Sequence, residues 1–154
     1  MRWNQGRATI DKLIADGELQ RVPASRDHAD QILVQARKDL ASAELLRDSN
    51  PKRAYESLYD AARMALTAVL ENQGLRPTSH GGHIAPYSAI VAQLDPPMGA
   101  VLRPFDRMRR MRNRAEYPSF TTPEVTADNV NTDLSGATAI VEICENILDE
   151  MSPF

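Results

Sequence analysis

A chain of 154 residues, 42% hydrophobic and 25% charged, is long enough for one domain with a proper core. Its net charge of -3 argues against a generic nucleic-acid coat, so any polyanion binding must come from a local basic surface. The lone cysteine, Cys144, rules out a disulfide framework within the chain and suits a reducing cytoplasm, while no apolar run approaches the roughly 18 residues of a membrane span.

The polar start Met1-Arg2-Trp3-Asn4-Gln5-Gly6 carries no apolar region of a signal peptide. Residues 8–16 read as a short helix with Ile10, Leu13 and Ile14 on one face, closed by Gly17, with Trp3 a candidate to help it dock. Residues 18–25 form a connector ending at Val22-Pro23, too short for a domain linker, so this N-terminal prop is expected to pack on the main body. The expected division is a prop and connector over 1–25 and a helical bundle over 26–154.

From 26 to 47, Ala29, Leu33, Ala36, Leu40 and Ala43 recur at spacings of four and three, an amphipathic helix with a bundle seam. Asp48-Ser49-Asn50-Pro51 breaks it and starts another, with Asn50 as N-cap and Pro51 at the first helical position. This second helix runs to about residue 72, and its apolar positions, from Ala54 and Tyr55 to Val69 and Leu70, wrap most of the way around. A helix apolar on so many sides belongs in the middle of a bundle. Arg63 is thus a candidate inward charge, with Asp60 three residues earlier as a local partner.

Gln73-Gly74 ends that helix, and residues 75–83 read as a mobile polar loop. His80 and His83, three apart, invite a metal reading, but a catalytic zinc needs three protein ligands and no third lies nearby in sequence. The pair is better read as phosphate contacts or a general base. A short helix over 87–94, beginning near Pro86, is stopped by Asp95-Pro96-Pro97.

Residues 98–120 hold six arginines within twelve residues, at 103, 107, 109, 110, 112 and 114. As one helix, ended by Pro118, this segment places Val101, Phe105, Met108, Met111 and Ala115 on an apolar stripe. Arg103, Arg107, Arg110 and Arg114 share nearly the opposite side as a basic ridge, Arg109 lies off both groups, and Arg112 falls at the centre of the apolar stripe. An inward guanidinium cannot shed its charge, so Arg112 needs a carboxylate such as Glu116, a set of carbonyls, or an anionic ligand. The ridge reads either as a solvated face or as a phosphate-binding surface.

Thr122-Pro123-Glu124 is expected to open a final helix with a capping threonine and proline at the first position. Val130, Leu134, Ala137, Val141, Cys144, Leu148 and Met151 then follow at four-three spacing as a bundle or oligomer seam, with Gly136 a close-approach point. Period-two runs and hairpin dipeptides are missing, so the fold class is all-α: four main helices, a short one before the arginine helix, and the prop.

The second helix, the loop and the arginine helix together resemble the HEPN superfamily of small bacterial helical bundles. The features are Ala54-Tyr55 through Tyr59-Asp60-Ala61-Ala62-Arg63, then Gln73-Gly74-Leu75-Arg76-Pro77, the Gly81-Gly82-His83 loop, and Arg112-Asn113 near a helix end. The resemblance covers roughly 30–150 and implies a four-to-five-helix up-and-down bundle with a short N-terminal helix in front. Many members are metal-independent ribonucleases, often of toxin-antitoxin or phage-defence systems, that form homodimers with both motifs lining one cleft. No cofactor is implied. The family motif carries an arginine, usually a polar residue next, and a histidine five positions after the arginine. Arg112 and Asn113 match, and Tyr117 stands where the histidine would be.

The resemblance implies that Arg112 holds the scissile phosphate with Asn113 supporting it. A tyrosine with its ordinary pKa near 10 is a poor base for a ribose 2′-hydroxyl, which leaves Glu116, His80 or His83 as substitutes. A nucleotidyltransferase-type antitoxin is a further partner that the resemblance implies. Three readings stand: an RNA- or nucleotide-binding protein with weak or no ribonuclease activity, using Arg112, Asn113 and Tyr117; an active endoribonuclease toxin with a non-standard base; and a helical protein-protein adaptor in which Arg112 is a structural ion pair.

Overall fold

The computed structural model describes residues 4–117, 119, 121, 123–151 and 153–154. The expectations placed on Trp3, Pro118 and Thr122 lie outside these described residues.

The centre of the fold is α3 (Pro51–Gln73), begun by the Asn50 side chain accepting from Arg53 N at 3.4 Å and by Pro51 at the first turn. Its side chains from Ala54 to Leu70 are buried on several faces at once, which a bundle helix can manage only with neighbours all round. Those neighbours are α2 (Arg26–Leu46), α4 (Ile84–Leu94), α6 (Pro104–Glu116) and α7 (Ala127–Ile147). Each supplies one apolar stripe. Ala29, Leu33, Ala36, Leu40 and Ala43 do so from α2, and Val130, Ala137, Val141 and Cys144 from α7. Ser25 caps α2 through His28 N at 3.1 Å.

The prop is α1 (Arg7–Ala15), which buries Ile10 and Leu13 and packs on α4. Two short strands that the sequence reading did not foresee tie it down: β1 (Leu19–Arg21) pairs antiparallel with β2 (Leu75–Pro77), with Gln20 opposite Arg76. Strands of three residues are too short to display a period-two pattern. Their ladder continues through Val22 N to Gly74 O at 2.9 Å and Thr78 N to Glu18 O at 3.0 Å. The segment 75–83, expected to be a mobile loop, is therefore anchored at its start.

Gly81 is packed so closely on Glu18 that a Cβ there would lie 2.2 Å from the Glu18 carbonyl oxygen. Only glycine fits between the loop and the connector.

Three boundaries differ from expectation. Residues 98–117 are not one helix: α5 (Gly99–Leu102) stops at Arg103, because Pro104 has no N–H to continue the ladder and instead starts α6. The fourth helix starts at Ile84, with Pro86 still among the first-turn positions whose N–H groups have no helical partner. In α7 the cap is Thr126, four residues beyond the expected Thr122. Thr126 and Asn129 form a reciprocal capping box, with Asn129 N donating to Thr126 Oγ1 at 3.3 Å and Thr126 N to Asn129 Oδ1 at 2.9 Å. No helix of the described residues is long and apolar enough to cross a membrane.

Candidate functional site

The apolar positions expected on one stripe pack inward from two helices: Phe105, Met108 and Ala115 of α6 are buried, while Met111 of α6 and Val101 of α5 are half-buried against the core. Phe105 stacks on Tyr59 with centroids 5.3 Å apart, and Tyr87 stacks on the same Phe105 at 5.2 Å. This aromatic run fixes Tyr59, which is fully buried on α3, against α6.

Arg112, on that same stripe, lies with its guanidinium 5.8 Å from the Tyr59 ring centroid and its side chain only 20% exposed. Its Nη1 pairs with Glu116 one turn on. Its Nε is buried and has no hydrogen-bond partner among the described residues. Nε and Nη2 form the edge that grips two oxygens of a phosphate side-on, and the Glu116 contact engages Nη1, at the other end of the guanidinium.

Arg63, from α3, repeats the arrangement. Asp60 lies 3.5 Å from its Nη2, and its Nε too is buried without a partner. A buried donor with no acceptor is costly, and two such donors beside one tyrosine call for a common cause.

His83 completes the cluster at the N-terminus of α4. Its Nδ1 lies 3.0 Å from the Tyr59 hydroxyl, and the two rings are 5.7 Å apart. Burial, and then the positive charges of Arg63 and Arg112, push the His83 pKa below its ordinary value, with Asp60 and Glu116 opposing. The imidazole is therefore neutral at pH 7. Burial also raises the Tyr59 hydroxyl to about 12, against Arg63, Arg112 and Arg109, so it remains a protonated phenol.

The remaining sequence candidates fall elsewhere. Asn113 and Arg114 are exposed on α6, and Arg114 lines a cavity of about 280 Å³ with Lys52 and Glu124. Tyr117, at the end of α6, is 74% exposed, and His80 is exposed on the loop.

Three of the ridge arginines are paired within the chain. Arg103 lies 3.7 Å from Asp95, and Arg110 lies 3.2 Å from Asp106, which Arg109 also engages. Arg107 closes on Asp133, a buried carboxylate of α7 that also accepts from the Tyr55 hydroxyl at 2.7 Å. Asp133 went unremarked in the sequence, although an acid one residue before Leu134 on a helix seam is the signal that would have found it.

An open groove of about 650 Å³ between α2 and α7 lies apart from this cluster, and across it Arg37 and Glu145 pair at 2.5 Å. Among the described residues no group of three or more His, Cys, Asp or Glu side chains is arranged to hold a metal ion.

The fold is thus a small helical bundle around one central helix, with two half-buried arginines and a histidine gathered on a tyrosine of that helix. Residues 29–151 match the HEPN domain model, and the chain belongs to that family. No curated protein and no solved structure matches it.

Proposed function

We propose that this HEPN-domain protein binds phosphate groups of RNA, or of a nucleotide, between Arg63 and Arg112. The observation that carries the reading is the pair of buried Nε donors beside Tyr59 that have no hydrogen-bond partner among the described residues. A phosphate oxygen is the acceptor that satisfies such donors while neutralising both charges, and the planar fork of arginine suits it better than a point charge would. With a net charge of -3, the protein has no overall field to attract RNA, so recognition falls to this local site. Arg114 and the exposed parts of Arg103, Arg107 and Arg110 extend the basic surface along α6 and supply weaker backbone contacts.

Tyr117 is exposed at the end of α6 and is given no part in cleavage, and Asn113, exposed on α6, contributes at most a contact at the rim of the site. Family membership supports a setting in a toxin-antitoxin or phage-defence system, action as a homodimer, and a nucleotidyltransferase-type antitoxin as partner.

The test is fluorescence anisotropy of single-stranded RNA at several salt concentrations with wild type, Arg63→Ala and Arg112→Ala. Binding that weakens steeply with salt in wild type, with a slope smaller by about 0.7 for each arginine removed, is the expected result. Binding indifferent to both substitutions would overturn the reading.

A further inference from the structure

His83 has one ring nitrogen engaged and one free. Nδ1 meets the Tyr59 hydroxyl, and Nε2 has no partner among the described residues. The groups that act on it from the helices packed around it are Asp60 and Arg63 of α3 and Arg112 and Glu116 of α6, the same side chains that frame the phosphate site. The loop that carries it is fixed by the β1–β2 ladder and by the contact of Gly81 with Glu18, so the imidazole is placed by tertiary structure rather than by its own helix.

We infer that His83, positioned by Tyr59, is the proton acceptor for RNA cleavage at this site, taking the part that position 117 lacks. The inference rests on the phosphate-binding reading above. In the tautomer with hydrogen on Nδ1, that N–H donates to the Tyr59 oxygen and Nε2 presents a lone pair.

Nε2 takes the proton of a ribose 2′-hydroxyl. The 2′-oxygen attacks the adjacent phosphorus, forming a new P–O bond as the bond to the 5′-oxygen breaks. The leaving 5′-oxygen takes a proton from water, and the hydroxide so formed removes the proton from His83. The products are a 2′,3′-cyclic phosphate and a 5′-hydroxyl, and the enzyme returns to its starting state.

Burial, reinforced by Arg63 and Arg112, opposes a positive imidazole and keeps His83 neutral and able to accept. A bound phosphodiester offsets those two charges, and the extra negative charge that develops at phosphorus during attack stabilises the imidazolium as it forms. The alternatives are worse placed: Glu116 is already spent on Arg112, and Tyr117 is mostly exposed.

The experiment has two arms. Binding is measured with a fully 2′-fluoro oligoribonucleotide, which lacks the nucleophile, for wild type, Arg112→Ala and His83→Gln. Cleavage of the matching RNA in EDTA is followed under single-turnover conditions at saturating protein, for wild type, His83→Gln, Tyr59→Phe and Tyr117→Phe. The expected result is cyclic-phosphate product from wild type and Tyr117→Phe. His83→Gln slows cleavage at least about 100-fold, the usual contribution of a general base, while still binding the 2′-fluoro oligomer. Tyr59→Phe cuts more slowly and shifts the acid limb of the rate-pH profile.

Arg112-dependent binding with no cleavage by wild type, or cleavage by His83→Gln at the wild-type rate, would sink the inference and leave the binding site standing. Loss of Arg112-dependent binding by wild type would remove both.

Discussion

The guanidinium of Arg112 lies over the face of Tyr59, 5.8 Å from the ring centroid, and on the proposed reading this contact sets which edge of the arginine would meet a phosphate. Nη1 turns to Glu116, and the Nε edge remains unsatisfied. Charge alone is therefore not what position 112 supplies. Arg112→Lys keeps the charge but loses the fork and the flat contact with the ring. Its RNA affinity is expected to fall nearly as far as that of Arg112→Ala, about 10- to 100-fold, the range for a charge-assisted hydrogen bond. Titration of both variants by anisotropy checks this; a lysine variant that binds like wild type would contradict it.

Glu116 competes with any phosphate for Arg112. Replacing it by glutamine leaves the side-chain shape but removes the like-charge repulsion toward an incoming anion. Glu116→Gln is expected to bind RNA several-fold tighter, on the order of 1 kcal/mol for a partly exposed ion pair, with the gain shrinking as salt rises. Weaker binding by this variant would mean that Glu116 positions Arg112 more than it masks it.

Arg107 is bound to a different task. It closes on Asp133, whose carboxylate is buried and also takes the Tyr55 hydroxyl. Arg107→Ala leaves that carboxylate with one hydrogen bond and is expected to lower stability by about 1–3 kcal/mol, discounted because the guanidinium itself is 57% exposed. Tyr55→Phe costs about 1–2 kcal/mol for the same reason. Urea melts measure both. RNA affinity should change less in Arg107→Ala than in Arg112→Ala.

The pH dependence of stability has a definite sign. His83 has a folded-state pKa below its ordinary 6.5, so the unfolded chain binds the proton more readily than the fold does. Its contribution is complete above pH 6.5 and is lost as pH falls through 6.5 toward the lower folded value. Wild type is expected to lose more stability between pH 7.5 and 5 than His83→Gln does, compared by urea midpoints at the two pH values. Equal losses would show that burial and the two arginines together do not lower the His83 pKa.

Much of this arrangement was legible in the sequence because helical periodicity is a local property. The four-three spacing of Ala29 to Ala43 and of Val130 to Met151 marked the seams, and the all-round apolar surface of the second helix marked the centre. The wheel also turned Arg112 inward from sequence alone, as its 20% exposure bears out. What the sequence withheld was set by contacts between distant segments. Thr78 meeting Glu18 anchors the histidine loop, and nothing in residues 75–83 alone reveals that ladder. The approach of His83 to Tyr59, 24 positions earlier, follows from it. The start of the final helix was misplaced for another reason: Thr122-Pro123-Glu124 has the composition of a capped start, whereas the reciprocal bonds with Asn129 put the cap at Thr126.

The most direct measurement is the NMR signal of the arginine Nε–H groups in protein titrated with a 2′-fluoro oligoribonucleotide. Two Nε donors that are buried without a partner among the described residues should both acquire a strong acceptor, so the Arg63 and Arg112 resonances are expected to move downfield together and saturate with the binding curve. Shifts confined to Arg103, Arg110 and Arg114, with Arg63 and Arg112 unmoved, would contradict the account and place RNA on the outer ridge instead.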